Sequence, residues 1–110
     1  MSYQHKDLAS GRWQQLSFCE QMANIGSEVE RALNWRSKNN PLYAEQAIVR
    51  AFELIDLTLD IPTTFPRRKE TARLREALVD YFFGINEFKS SDVLWRNYFL
   101  NFTYLARRNR

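Results

Sequence analysis

Hydrophobic residues recur every three or four positions in four separate stretches of this chain, which is the pattern of amphipathic helices. The first stretch starts at Ser17, where Ser17-Phe18-Cys19-Glu20 has the form of a capping box. In that motif the serine hydroxyl accepts from the third helical amide, and the glutamate reaches back to the serine amide. Gly26 lies beside the apolar stripe. Because a glycine inside a helix costs about 1 kcal/mol against alanine, we expect a neighbouring helix to approach closely there. The stripe consists of Phe18, Met22, Ile25, Val29, Leu33 and Arg36.

Asparagine and proline separate the first two helices. Asn39-Asn40-Pro41 predicts an end near Lys38 followed by a new start, because Asn caps helices and Pro fits a first turn. The second helix is predicted to run to about Asp60. Its inward positions are Ala44, Ala47, Ile48, Ala51, Ile55, Thr58 and Leu59.

Residues 61–66 contain two prolines and predict a loop. The third helix is expected over roughly Arg67 to Phe83, with Gly84 as its C′ residue. Ser90-Ser91-Asp92 offers caps for the fourth helix. Its expected inward residues are Leu94, Trp95, Tyr98, Phe99, Phe102 and Leu105.

Four helices of similar length joined by short loops predict an all-α fold, an antiparallel up-down-up-down four-helix bundle. At 110 residues the chain has the size of one domain. We expect residues 1–12 to form a flexible N-terminal arm and residues 13–110 to form the bundle.

Two helices carry more apolar surface than one stripe requires. On the fourth helix, Val93, Leu100 and Tyr104 lie opposite the main stripe; on the second, Val49 and Leu57 do. A row of apolar residues on an outer face indicates a second contact surface, and symmetric self-association is its commonest use. The five residues are therefore candidate interface residues of a homo-oligomer; the alternative is a monomer with scattered surface apolar residues.

The net charge of +3 is unevenly distributed. Residues 1–60 carry six Lys and Arg against eight Asp and Glu, whereas residues 61–110 carry ten against five. Such basic clusters bind phosphate or an acidic protein surface; the alternative is solubility together with favourable charge at a helix C-terminus. The candidate binding residues are Arg67, Arg68, Lys69, Arg96, Arg107, Arg108 and Arg110.

Side chains for catalysis are scarce. The chain has one histidine, His5, and one cysteine, Cys19, so we predict no catalytic residues, no metal site and no cofactor. One alternative is left open: Glu53 and Asp56 form an E-x-x-D step, half of the carboxylate pattern with which all-α nucleotide pyrophosphatases hold Mg²⁺. A single cysteine, a polar N-terminus and the absence of a long apolar segment indicate a cytoplasmic protein without a signal peptide or membrane span.

Three segments carry a resemblance: residues 23–35, ANIGSEVERALNW; residues 51–60, AFELIDLTLD; and residues 81–84, YFFG. Together they resemble a family of small bacterial proteins without an assigned function, over about residues 13–107. In size, basic charge and helical pattern the chain is also similar in kind to the accessory variability determinant proteins of diversity-generating retroelements. That resemblance implies a basic helical bundle that oligomerises and binds a reverse transcriptase and its nucleic acid.

The sequence thus predicts a non-catalytic accessory module, oligomeric, that binds nucleic acid or a nucleic-acid-processing enzyme through a basic face. The first alternative is a protein–protein scaffold with no nucleic-acid role. The second is a Mg²⁺-dependent nucleotide hydrolase centred on Glu53 and Asp56.

Overall fold

The computed structural model describes residues 11–108. They form a short 3-10 helix and four α-helices, and no β-strand occurs among them. The 3-10 helix spans Arg12–Gln15; the α-helices are α1 (Phe18–Ser37), α2 (Pro41–Leu59), α3 (Phe65–Phe83) and α4 (Asp92–Arg108). The all-α prediction is therefore confirmed. No described helix is long and apolar enough to cross a lipid bilayer.

Both ends of α1 are set by local hydrogen bonds. The predicted capping box is present: the Ser17 hydroxyl accepts from the Glu20 amide at 3.1 Å, and Glu20 accepts from the Ser17 amide at 2.9 Å. At the other end Asn39 is left-handed, with φ of 59°. The amide of Asn40 donates to the Trp35 carbonyl and that of Asn39 to the Arg36 carbonyl, which is a Schellman motif.

The next two helices each have a proline in the first turn. Asn40 caps α2 through its side chain, which accepts from the Tyr43 amide at 3.1 Å, and Pro41 follows as predicted. The start of α3 differs from the prediction, because it begins at Phe65 and places Pro66 inside its first turn. Proline is tolerated there since the amides of a first turn have no intrahelical acceptor. Arg67 thus lies in the first turn of α3.

The helix α1 is the centre of the packing. It packs most extensively on α2 and next on α4, while α3 packs mainly on α2. The predicted α1 stripe is confirmed: Met22, Ile25, Val29 and Leu33 are completely buried or nearly so. The backbones of α3 and α4 approach one another only sparsely, so these two helices meet through side chains.

Gly26 is the point at which α4 approaches α1 most tightly. A Cβ atom at Gly26 would lie 2.7 Å from both Cβ and Cγ of Phe99 on α4. Real Cβ atoms do not come so close to other heavy atoms, so only glycine accepts the Phe99 ring at this place. The predicted cause of this glycine, close approach of a neighbouring helix, is confirmed.

Trp13 contributes to the core although it lies outside the four helices. Its side chain is 1% exposed, and its Nε1 donates to Thr58 Oγ1 on α2 at 2.9 Å. The Gln21 side chain on α1 donates to the Trp13 carbonyl at 3.0 Å. The 3-10 helix is thereby tied to both α1 and α2. Residue 13 belongs to the folded domain, whereas residues 1–10 of the predicted arm lie outside the described part.

Four expectations about individual residues were wrong. Leu57, expected on an outer face, is buried in the core, because α1, α3 and the 3-10 helix all pack on α2 and widen its buried arc. Leu94 and Leu105, expected inward, are 57% and 38% exposed, because α3 does not close over that side of α4. Gly84, expected at C′, is the C-cap of α3 and has φ of −105° instead of a left-handed conformation.

The variant Gly26→Ala tests the packing of α4 on α1. Helix propensity alone predicts a gain of about 1 kcal/mol, whereas overpacking against Phe99 costs about 1–3 kcal/mol. We expect the packing effect to dominate and the urea midpoint to fall.

The matched control is Ser27→Ala, at the adjacent exposed position, which should leave the midpoint unchanged or raise it slightly. A higher midpoint for Gly26→Ala would show that Phe99 does not press on this position.

Candidate binding surfaces

One end of the structure is held by a compact charged and aromatic cluster. The Arg36 guanidinium lies over the rings of Tyr81 and Phe82, 4.6 and 4.5 Å from their centroids, and pairs with Asp92 at 3.2 Å. Tyr81 donates to the same Asp92 oxygen at 2.5 Å. Burial, followed by this hydrogen bond to the carboxylate, raises the pKa of Tyr81. The cluster joins the ends of α1 and α3 to the start of α4, and its charges are satisfied internally.

The opposite end collects the predicted cations. The Arg67 guanidinium lies 5.1 Å from the ring centroid of Phe18, at the start of α1. Phe18 in turn makes an edge contact with Phe102 of α4, with centroids 6.0 Å apart. Arg107 and Arg108 follow Phe102 by five and six residues, about 8–9 Å along a helix. The first turns of α3 and the last turn of α4 therefore meet at one end, which we call the basic end: Arg67, Arg68, Lys69, Arg107 and Arg108.

Three of these arginines have no acidic partner in the described part of the chain. None of the ion pairs formed among residues 11–108 involves Arg68, Arg107 or Arg108, and all three are exposed. Lys69 is also exposed, and its Nζ lies 6.0 Å from the ring centroid of Phe65. The remaining candidate, Arg110, lies outside the described residues.

The cations at the start of α3 oppose the helix dipole. The first turn of α3 contains no acidic residue, and Thr64 makes no side-chain capping hydrogen bond. Positive charge at a helix N-terminus is unfavourable by about 0.3–1 kcal/mol per group. Helix stabilisation thus accounts for Arg107 and Arg108, in the last turn of α4, but not for Arg67 and Arg68. A bound anion would offset this repulsion.

Arg96 has a structural role that its sequence position did not reveal. Its Nε lies 3.1 and 2.9 Å from the two carboxylate oxygens of Glu30, and its Nη2 donates to Asn34 Oδ1 at 3.3 Å. Both partners are on α1, so Arg96 fastens α4 to α1. We therefore leave Arg96 out of the basic end.

The five candidate oligomer residues lie in three different environments. Val93, Leu100 and Tyr104 form a row on α4 with exposures of 64%, 63% and 62%. Val49 is 37% exposed on α2, beside Leu42, Glu45 and Gln46. Leu57 is a core residue and offers no surface.

The carboxylates of the nucleotide-hydrolase alternative are not gathered into a metal site. Asp56 accepts from Arg75 Nε at 2.9 Å, and the Arg75 guanidinium lies 5.4 Å from the ring centroid of Phe52. Within residues 11–108, no three His, Cys, Asp or Glu side chains are arranged to hold a metal ion. Among residues 11–108, the nucleotide-hydrolase alternative therefore has no group of three metal-binding side chains that includes Glu53 and Asp56.

A groove of about 590 Å³ lies between α3 and α4, where their backbones stay apart. Sequence reasoning missed it, because it exists only where two helices fail to close. From α3 it is lined by Pro66, Lys69, Glu70, Arg73, Leu74 and Ala77. From the other side it is lined by Ser90, Leu94, Trp95 and Tyr98.

Tyr98 joins the two walls of this groove. Its hydroxyl donates to Glu70 Oε2 at 2.7 Å. Burial, and next the hydrogen bond and the negative charge of Glu70, raise the pKa of Tyr98 well above its usual range. The phenol therefore stays protonated and neutral, and Glu70 has its negative charge partly satisfied by this donor.

Comparisons with known proteins identify no relative: no family model, no curated protein and no solved structure matches the chain.

The variant Tyr98→Phe tests the bridge across the groove. Because folding raises the pKa of Tyr98 above its unfolded value, the protonated phenol contributes stability that is present below about pH 10 and is lost as pH rises through the folded-state pKa. An alkaline titration of phenolate absorbance should contain a late phase to which Tyr81 also contributes, and Tyr98→Phe should reduce its amplitude by one phenolate. We also expect the variant to lose about 1 kcal/mol of stability at neutral pH.

The control Tyr104→Phe replaces an exposed tyrosine and should leave the stability at neutral pH unchanged. If Tyr98→Phe does not reduce the late phase, the hydrogen bond to Glu70 does not hold the proton.

Proposed function

We propose that this protein is a non-catalytic accessory module that binds single-stranded nucleic acid through its basic end, in the cytoplasm and as a homo-oligomer. The observation that carries the proposal is that Arg67 of α3 lies over Phe18, whose ring contacts Phe102 of α4. The cations of the first turns of α3 and of the last turn of α4 are therefore at the same end, and we infer that they form one surface although about 40 residues separate them. Phosphate contacts by Lys and Arg supply most of the affinity in non-specific nucleic-acid binding.

An exposed aromatic ring beside the cations favours nucleic acid over an acidic protein surface. Phe65, the first residue of α3, is 74% exposed and lies next to Lys69. Bases stack on such rings while neighbouring cations neutralise phosphate, and this combination is typical of single-strand binding. An acidic protein surface would pair with the cations, but it would gain less binding free energy from contact with the Phe65 ring. Kinship with the retroelement accessory proteins is part of the same proposal and rests on the similarity in size, basic charge and helical pattern alone.

We also propose that the helices alternate in direction, up-down-up-down. Two sets of contacts support this. Near the basic end, Phe18 at the start of α1 is close to Arg67 and Phe102, and Trp13 bonds Thr58 near the end of α2. At the opposite end, the Arg36 cluster joins the ends of α1 and α3 to the start of α4, and Trp35 contacts Tyr43 with centroids 4.9 Å apart.

Reversing charge at the basic end should weaken binding and flatten its salt dependence. For Arg107→Glu/Arg108→Glu we expect at least about tenfold lower affinity for a single-stranded oligonucleotide. The slope of log K against log salt should fall by about 1.4, about 0.7 for each lost phosphate contact on a single strand. Fluorescence anisotropy over a salt series measures both quantities. The matched control is Lys38→Glu/Lys89→Glu, which changes the net charge equally at loops of the opposite end and should have the smaller effect.

The variant Phe65→Ala separates nucleic acid from an acidic protein as the ligand. Loss of base stacking should weaken single-strand binding by about 1–3 kcal/mol and leave the salt slope unchanged. Equal affinity of the Arg107→Glu/Arg108→Glu variant and its control would refute the basic end as a binding site. Normal binding by Phe65→Ala would refute only the stacking contact.

A second candidate function is a protein–protein scaffold. The exposed row of Val93, Leu100 and Tyr104 favours it, because these three residues form one apolar strip on the outer side of α4. Such a strip serves self-association equally well, so the two functions differ in whether nucleic acid binds at all.

The variant Leu100→Glu tests the strip. We expect it to dissociate the assembly, as measured by light scattering, while its circular dichroism and urea midpoint remain those of the native chain, because Leu100 is 63% exposed. The matched control Ile85→Glu, at a loop residue that is 86% exposed, should not change the mass. A monomeric native protein would refute the interface, and an unfolded Leu100→Glu variant would show that this face packs internally.

A further inference from the structure

The groove between α3 and α4 has the size of a small-molecule site. Its volume of about 590 Å³ lies within the range of about 300–1,000 Å³ that is usual for such sites. Leu74 and Trp95 are almost completely buried at its wall, while Leu94 is 57% exposed at its edge. The lining is thus mainly apolar and open to solvent.

The charged residues of the groove favour an anion. Two cations from α3, Lys69 and Arg73, lie on successive turns of its edge, and neither is in an ion pair with a described residue. The only carboxylate among the lining residues, Glu70, accepts the hydrogen bond from Tyr98. A negatively charged group of a ligand would therefore lie beside two cations that are not neutralised by an ion pair.

Trp95 carries an unsatisfied donor. It is 7% exposed, and its Nε1 is buried without a hydrogen-bond partner in the described structure. Buried donors without an acceptor are rare in folded proteins, because each costs about 1–3 kcal/mol. The Trp95 side chain borders both this groove and a second one between α1 and α4, so the apolar lining and the two cations carry the proposal for this groove.

We propose that this groove binds a small organic anion, a molecule with an apolar body and one carboxylate, sulfonate or phosphate group. The apolar body lies against Leu74, Leu94 and Trp95, and the anionic group lies beside Arg73 and Lys69. The Tyr98–Glu70 hydrogen bond ties the two walls together, which limits their separation and favours a compact ligand over an inserted helix. The groove shares Lys69 with the basic end but not Arg73 or Leu94, so variants of these two residues test it separately from nucleic-acid binding.

A pair of fluorescent probes tests the proposal. The probes are 8-anilinonaphthalene-1-sulfonate, an aromatic anion, and N-phenyl-1-naphthylamine, its uncharged counterpart. We expect the native protein to bind one equivalent of the sulfonate, and to bind it at least about tenfold more tightly than the neutral probe, as a charge-assisted contact allows. Circular dichroism of each variant shows that it is folded.

Two variants separate the charge from the apolar contact. Arg73→Gln should weaken sulfonate binding about tenfold and leave the neutral probe within about twofold, whereas Leu94→Asp should weaken both probes. The control Ile85→Asp replaces an exposed apolar loop residue that lies outside this groove and outside the apolar strip of α4, and it should change neither. Arg107→Glu/Arg108→Glu should retain the sulfonate site, so failure of the groove and failure of the basic end are distinguishable.

Three results would overturn the proposal. One is equal affinity for the two probes. Another is sulfonate binding that survives both Arg73→Gln and Leu94→Asp. The third is no binding of either probe by a protein that binds an acidic amphipathic peptide in the same groove, which would make the groove a protein-docking site.

Discussion

The contact of Phe99 with Gly26 determines where α4 can lie. Because no Cβ atom stands between them, the Phe99 ring reaches the surface of α1 and draws α4 toward it. Arg96 reinforces the same pairing through Glu30. Because α4 packs on α1 while α3 packs mainly on α2, α3 and α4 meet only through side chains. This arrangement leaves the groove between them.

Charge is distributed in opposite ways at the two ends of the structure. At the Arg36 end, the guanidinium pairs with the carboxylate of Asp92, which also accepts a hydrogen bond from Tyr81. The same guanidinium lies over the rings of Tyr81 and Phe82. At the basic end, Arg68, Arg107 and Arg108 have no carboxylate partner among residues 11–108, and α3 begins with cations at the positive end of its dipole. Folding alone explains the first arrangement. At the basic end, helix stabilisation explains Arg107 and Arg108, whereas a bound anion would offset the repulsion at Arg67 and Arg68.

Local motifs could be predicted from the sequence because their cause lies within a few residues. The capping box at Ser17, the start of α2 at Asn40-Pro41 and the inward stripe of α1 all depend on neighbours three or four positions away, and all three are present. Gly26 was also interpretable, since its cost inside a helix demands a compensating contact. The existence of that contact could be inferred, but its partner, Phe99, could not.

Long-range choices account for the errors. Periodicity shows which face of a helix is apolar, but it does not show how many neighbours cover that face. Periodicity therefore predicts that Leu57 is exposed, whereas α2 is covered on several sides and Leu57 is buried. It predicts that Leu94 is buried, whereas that side of α4 is left open and Leu94 is exposed. The pairing of Arg96 with Glu30, 66 positions away, has no local signal either. The clusters of Arg and Lys, by contrast, are visible in the sequence, and the structure adds that two of them lie at the same end.

The central claim is that cations of α3 and α4 form one nucleic-acid-binding surface around Phe18. A titration of the ¹⁵N-labelled protein with a short single-stranded oligonucleotide, followed by amide chemical shifts, tests it most directly. The account predicts that residues 65–69, residues 105–108 and Phe18 shift together and saturate at one oligonucleotide concentration, while the loops around Lys38 and Lys89 do not respond. Shifts confined to the Lys38 end, or separate saturation of the α3 and α4 residues, would contradict it.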